Sequence, residues 1–312
     1  MRVLVILNPV AGRTQATHVR RALDQNFPES GATRLEIYET TGAEDVAGVV
    51  RGAIGSGVER VFAAGGDGTV SAVVDALART NIPLGIIPAG TTNVLAQELG
   101  IPLNVEKACQ LLAGKTSIRS IDTLQLGQQH FVLSVGTGLN AKAIEGTSRE
   151  GKRRFGPLAY VWSVLKTVTG LQPHSFTIIA DGQKLRVKAA DVLLANVSTL
   201  MRPFRWGPHI APDDGRIDIC VMRAKNVVDI LGVARDIIVP EGPSHERNLI
   251  YWHAHHSVLV FAEEPLLVQG DGELLGEMPL EVILVPGAIQ ILVPEEDSRP
   301  RKVRLPLGRN LS

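Results

Sequence analysis

RVFAA (Arg60–Ala64), GGDGT (Gly65–Thr69) and VSAVVDALA (Val70–Ala78) follow one another without a gap, and their order decides how the first third of the chain reads. The first piece is an apolar run of the kind that forms a parallel strand covered on both faces. The second is a glycine-rich turn and the third a helix pattern. The same alternation extends to both sides. VLVIL (Val3–Leu7) ends at Asn8-Pro9, and a helix pattern follows over Thr17–Asn26. Arg34–Glu39 is a second strand and Ala43–Ile54 a second helix. After the central triplet come PLGIIP (Pro83–Pro88), the turn AGTTN (Ala89–Asn93) and a helix through Leu99. Strand and helix in strict alternation imply a doubly wound α/β domain, which binds ligands at the carboxyl ends of its strands.

The texture changes near residues 116–122. From Ile121 onward short strand patterns dominate: HFVLSV, SFTIIA, KLRVKA, DVLLANV, RIDICVM, SVLVFA, PLLVQ, LEVILV and AIQILV, punctuated by turns such as Asp181-Gly182 and Asp214-Gly215. Helices are predicted near Ala159–Val168 and Val227–Ile237. The expectation is an N-terminal α/β nucleotide-binding domain over residues 1–120, which the tail 295–312 can rejoin. A C-terminal β-rich, sandwich-like domain spans 121–294, with a cleft between the two.

Three turns on successive strand ends carry the chemistry. In GGDGT, Gly65, Gly66 and Gly68 let the backbone approach a ligand, and the helix that follows aims its amides and positive dipole end at an anion. Asp67 would repel a phosphate, unless a magnesium ion stands between them. The pattern is neither G-x-G-x-x-G nor the Walker loop. NPVAG (Asn8–Gly12) and PAGTTN (Pro88–Asn93) place glycine with amide or hydroxyl side chains at two further strand ends. Each reads singly as an ordinary turn; the three together point to a phosphate site.

Together these turns resemble the diacylglycerol kinase catalytic-domain family, which includes sphingosine kinases and bacterial lipid kinases and is distantly related to NAD kinases and phosphofructokinases. The resemblance rests on NPVAG, GGDGTVS, IPAGTTNVLAQELGIP, SVGTGLNA, APDDGRIDI and QGDGELLGEMPLEVILVPGAIQILVP, in family order across nearly the whole chain. It implies a soluble two-domain kinase that moves the terminal phosphate of Mg·ATP onto a lipid hydroxyl. Asn8, Pro9, Gly12, Arg13, Thr40, Gly65, Gly66, Asp67, Gly68, Thr69, Ser71, Gly90, Thr91 and Asn93 would surround ATP. Glu273 would be the general base, with Asp271 beside it. Asp214 would bind a structural Mg2+, with the carbonyls of Ala211 and Arg216, and Asp67 would anchor Mg2+ at the phosphates. Val94 departs from the Asp that many bacterial relatives carry after this Asn; the GTTNVLA form is nearer the sphingosine-kinase-like branch, which leaves the lipid open between diacylglycerol-like and sphingoid-like.

The chemistry agrees with the resemblance. Phosphoryl transfer needs charge neutralisation and a group to receive the nucleophile's proton. Strand periodicity puts Asp271 and Glu273 on one face of an extended segment, although Asp271-Gly272 also reads as a hairpin turn. Two alternatives stay open: a kinase for a soluble acceptor such as NAD, and a nucleotide-binding regulator that has lost catalysis.

Other features bound the partners. The 32 basic residues balance 32 acidic ones, which argues against a nucleic-acid binder that relies on a large basic field. Cys109 and Cys220 have no C-x-x-C spacing, and a reducing cytoplasm is expected. Met1 leads straight into a strand with no signal-peptide pattern, and no apolar run reaches the roughly 20 residues that span a bilayer. A lipid substrate would then be met by transient peripheral contact, for which Lys152-Arg153-Arg154, ahead of Phe155–Val164, and the basic tail (Arg299, Arg301, Lys302, Arg304, Arg309) are places to look. His253, His255 and His256 read as a solvated strand. A homodimer is left open.

Overall fold

Val3, Val5 and Leu7 pack to one side of the first strand, and Leu4 and Ile6 to the other, as the twofold period of a strand requires when both faces are covered. In the computed structural model, residues 1–11, 16–28, 31–42, 44–138, 173–201, 204–205, 210–224, 229, 232 and 248–295 are described. The chain begins β1 (Arg2–Leu7), α1 (Ala16–Asn26), β2 (Arg34–Glu39), α2 (Val46–Gly55), β3 (Arg60–Gly65), α3 (Asp67–Leu77), β4 (Leu84–Pro88), α4 (Val94–Glu98) and α5 (Val105–Ala113). Parallel strands run in the order β2-β1-β3-β4. Helices α2, α3 and α4 bury Val50, Val73, Val74, Leu77 and Leu95 on one face. Helices α1 and α5 bury Val19, Leu23, Val105 and Leu112 on the other. This is the doubly wound layer expected.

Strands fill the rest of the described chain: β5 (Thr116–Leu126), β6 (Gln129–Phe131), β7 (Ser134–Gly138), β8 (His174–Ala180), β9 (Gln183–Ala189), β10 (Asp191–Ala195), β11 (Thr199–Met201), β12 (Phe204–Arg205), β13 (Ile217–Met222), β14 (Leu249–Ala254), β15 (Ser257–Ala262), β16 (Leu267–Gly270), β17 (Glu273–Glu277) and β18 (Leu280–Pro294). A six-stranded sheet in the order β14-β13-β10-β7-β16-β17 faces the β18-β15-β8-β9 end of the first sheet. Phe176, Ile178, Val258 and Val260 from one sheet meet Val192, Leu194, Ile217 and Ile219 from the other, which makes the β-rich part a sandwich.

Strand β18 is the spine of the molecule. It pairs with β15 over Leu280–Ile283, runs antiparallel to β5 for most of its length, and touches β4 through Ile291 and Leu84. LEVILV and AIQILV, which read as two strands, are therefore one, with a register shift between Val285 and Ile289. Pro286 has no amide to give a ladder, and Gly287 takes φ 59 there. Asp122 of β5 holds the bulge, accepting the Gly287 amide on Oδ1 and the Gly215 amide on Oδ2, both at 2.8 Å.

Two local readings differ from the structure. Helix α3 begins at Asp67, so three residues of GGDGT are already helical. Helix α5 went unread, although Asn104 caps it by accepting the Lys107 amide at 2.9 Å. Residues 116–122, where the domain boundary is expected, lie within strand β5. The helices expected near 159–168 and 227–237, the basic stretches at 152–154 and 299–309, and Gly12 and Arg13 fall outside the described residues.

Candidate functional site

Because β1, β3 and β4 are parallel neighbours, their carboxyl ends stand side by side, with Leu7 opposite Ala64 and Gly65 opposite Pro88. Asn8 closes β1; its Nδ2 donates to Thr69 Oγ1 at 3.2 Å and its Oδ1 accepts the Val10 amide at 3.1 Å. Thr40, at the end of β2, is buried and donates its amide to the Leu7 carbonyl at 2.8 Å. Gly66 and Gly90 touch backbone to backbone: a Cβ added at Gly90 would lie 2.4 Å from Gly66 Cα. Only glycine permits that approach. Asn93, at φ 50, secures the second turn by accepting the Gly90 amide at 3.0 Å and donating to the Gly90 carbonyl at 2.9 Å. Thr91 is exposed above it.

Asp67 joins two of these turns. Its Oδ1 accepts the Val94 amide at 2.6 Å. Burial pushes its carboxyl above the usual range, the Val94 amide and the Thr92 hydroxyl pull it back, and the negative charge of Asp271 raises it further. Part of the anionic repulsion expected of Asp67 is thus met by backbone amides at the start of α4.

Asp271 does not lie in an extended segment. Asp271 and Gly272 are the turn between β16 and β17, with φ 47 and 87, so strand periodicity does not govern the relation between Asp271 and Glu273. The hairpin reading and the site reading hold together. The Asp271 carboxylate accepts the amides of Val132, Leu133 and Ser134 at 3.0, 2.8 and 3.0 Å, and the hydroxyl of Ser71 as well. Burial pushes its carboxyl up while those four donors favour the ionised form. Glu273, two residues on, is exposed, and a Cβ on Gly68 would lie 3.9 Å from its Oε1. An exposed carboxylate therefore stands over the amino end of α3.

Helix α3 carries a row of polar contacts at fourfold spacing. After Asp67 and Ser71, Asp75 accepts the His130 amide at 2.8 Å. Just past the end of the helix Arg79, at φ 63, donates its amide to the Ala288 carbonyl at 2.7 Å and its guanidinium to Gln125 Oε1 at 2.8 Å. Asp75, Arg79 and Gln125 were not read from the sequence. For Asp75 the signal available was its i, i+4 recurrence after Asp67 and Ser71 on a largely apolar helix.

The expected Asp214 site lies apart from these turns. Asp214 Oδ1 and Asp218 Oδ2 are buried without a hydrogen-bond partner. Burial raises the carboxyl of Asp214, and raises that of Asp218 to about 7 with help from the charge of Asp214. Two buried carboxylate oxygens with no donor fit a divalent cation. Asp218 was not singled out from the sequence, although DDGRID carries it. Among the described residues no three His, Cys, Asp or Glu side chains cluster with metal-ligand geometry. His253 and His255 meet edge to face, with ring centroids 5.4 Å apart.

Comparison with known proteins gives two family matches: the diacylglycerol kinase catalytic domain over residues 2–126, and the YegS C-terminal NAD kinase beta sandwich-like domain over 133–293. An uncharacterized protein of Synechocystis is 30% identical over 311 residues, covering 94% of this chain and 70% of its own. A diacylglycerol kinase of Bacillus subtilis is 29% identical, covering 95% and 97%. The crystal structure of a diacylglycerol kinase from Bacillus anthracis superposes with a TM-score of 0.75 at 26% identity, covering 94% and 97%.

Two outcomes follow from the geometry. Gly90→Ala forces the two turns apart, so nucleotide affinity measured by titration should fall about tenfold or more, as expected for a loss near 1–2 kcal/mol; unchanged affinity would show that the Gly66–Gly90 contact is incidental. The second concerns Asp218. Its folded carboxyl releases a proton near 7 and the unfolded one near 3.8, so the fold retains a proton that the unfolded chain has lost, and stability falls as pH rises between those values. With divalent cations chelated, the melting midpoint of the wild type should drop over that window more steeply than that of Asp218→Asn. Parallel curves would contradict the burial of Asp218.

Proposed function

The chain belongs to the diacylglycerol kinase catalytic-domain family, and we propose that it transfers the terminal phosphate of ATP to the hydroxyl of a lipid. The observation that carries this reading is the position of Glu273. It comes from the far end of the sequence, yet stands over Gly68 in the turn best suited to phosphate.

In this reading the triphosphate lies along the ends of β1, β3 and β4. Asn8, Thr69, Gly90 and Asn93 hold the turns in shape, and the amides that open α3 face the anion. Pro9, Gly12, Arg13, Thr40 and Thr91 complete the nucleotide side. The lipid hydroxyl enters from the β-rich side, and Glu273 takes its proton as the oxygen attacks the terminal phosphorus and ADP leaves. Asp271 does not receive that proton. It fixes the hairpin that carries Glu273 and, through Ser71, ties it to α3. When bound, Mg2+ supplies neutralisation of the phosphate charge; Asp67 would hold it at the nucleotide, and Asp214 with the carbonyls of Ala211 and Arg216 would hold a second, structural ion.

Among the described residues no helix is long and apolar enough to cross a membrane. A cytoplasmic protein that touches the bilayer transiently to reach its substrate suits the reading, as does a homodimer. Diacylglycerol-like and sphingoid-like lipids both present a hydroxyl on an apolar body. Labelled ATP should place phosphate in a lipid extract and none in NAD. Glu273→Gln should lower kcat on the preferred lipid by about 10²–10⁴ with nucleotide affinity kept. Labelled NAD, or wild-type turnover by Glu273→Gln, would defeat the assignment.

A further inference from the structure

Helix α4 has two ends with different attachments. Its start is fixed to the nucleotide side, where Asn93 grips Gly90 and Asp67 accepts the Val94 amide. Its last residue, Glu98, faces the β-rich side. The Glu98 side chain is buried, and one oxygen, Oε2, accepts the Ser198 hydroxyl at 2.9 Å, the Thr199 hydroxyl at 2.6 Å and the Thr199 amide at 3.2 Å. Ser198 and Thr199 are themselves buried.

The segment that meets Glu98 is an insertion of one layer into the other. Asn196 follows β10, and its Nδ2 donates to the carbonyls of Asp122 and Val132 at 2.9 Å each. Val197 then enters the apolar cluster of the α/β layer with Val94, Leu95, Ala96 and Leu99. Ser198 and Thr199 close on Glu98, and the chain continues into β11. Packing alone would anchor this segment with an apolar side chain at position 98. A buried carboxylate is costly unless its hydrogen bonds are made, and those bonds are directional. They hold only while α4 and the 198–199 segment keep one relative position.

We infer that Glu98 is a positioning residue that makes the start of β11 follow the nucleotide turn. A nucleotide held against Gly90–Asn93 steadies the start of α4. The helix is barely more than a turn long, so its other end is steadied with it, and Glu98 passes that order to Ser198 and Thr199. Nucleotide binding thereby orders part of the acceptor side. This rests on the reading of the turn as an ATP site, and it adds a coupling between the two substrates that is reciprocal by thermodynamic necessity.

Hydrogen exchange of the 198–201 amides, with and without a non-hydrolysable ATP analogue, tests the coupling on the intact protein without requiring turnover. In the wild type the analogue should slow exchange there by about fivefold or more. In Glu98→Gln that gain should vanish while affinity for the analogue stays within about threefold and the melting midpoint is kept. Thr199→Val, which removes one hydroxyl donor and preserves shape, should reduce it too, and the double variant should lose no more than Glu98→Gln alone, as residues acting through one contact do. In turnover assays the acceptor KM should rise in both single variants, with the KM for ATP unmoved. Protection that persists in Glu98→Gln would overturn the proposal, as would a wild type that binds the analogue without protection at 198–201. Parallel losses of melting midpoint and nucleotide affinity would also overturn it, because they mark a structural anchor only. A wild type that shows the protection but phosphorylates no lipid would instead refute the lipid kinase reading and leave the coupling standing.

Discussion

The carboxylate of Asp271 takes hydrogen bonds from three consecutive amides, Val132 to Ser134, and from Ser71 on α3. Ser71 and Asp271 are 200 residues apart in sequence. This one group joins the helix that opens at the GGDGT turn, the connection between β6 and β7, and the hairpin that carries Glu273. A carboxylate so enclosed is tolerable only with its donors in place, because burial without them is strongly unfavourable. The donors and the acceptor therefore fix each other. The geometry of the site follows: Glu273 stands over Gly68 because the turn before it is held to α3.

The rest of the architecture serves that junction. Strand β18 runs through both layers, so the α/β part and the sandwich share a backbone ladder. Ser71 and Asp75 secure α3 to the Asp271 turn and β6, and Arg79, just past its end, reaches β5 and the β18 bulge. Asp122 at that bulge also takes the Gly215 amide, one residue after Asp214. The candidate cation site is thus connected through the Asp122 carboxylate to the same spine. Glu98 adds a second bridge on the far side of the glycine-rich turns.

Much of this was legible in the sequence where one residue type has one physical use. The glycines of GGDGT and PAGTTN announce backbone contact, and Gly66 against Gly90 shows why no larger residue serves. The apolar runs of β1, β3 and β4 announce buried parallel strands. Asp271-Gly272 announced a hairpin, but not that its Asp side chain turns inward, because that depends on amides at 132–134 which no local pattern reveals. The same limit hid Asp75, Arg79, Glu98 and Asp218: each is an ordinary charged residue in sequence, and only its partner in space gives it a role. Strand β5 escaped notice because its polar and apolar residues mix as its environment changes along its length. The two halves of β18 read as separate strands because Pro286-Gly287 is a turn signal that here marks a bulge.

If the GGDGT turn and Glu273 form one site across the junction held by Asp271, a crystal structure with a non-hydrolysable ATP analogue and Mg2+ should show it. The terminal phosphate should lie at the amino end of α3, with the Glu273 carboxylate facing its open side and the Ser71–Asp271 contact intact. Phosphates bound away from Gly65–Thr69, or Glu273 turned from the terminal phosphate with no room for a hydroxyl between them, would contradict it.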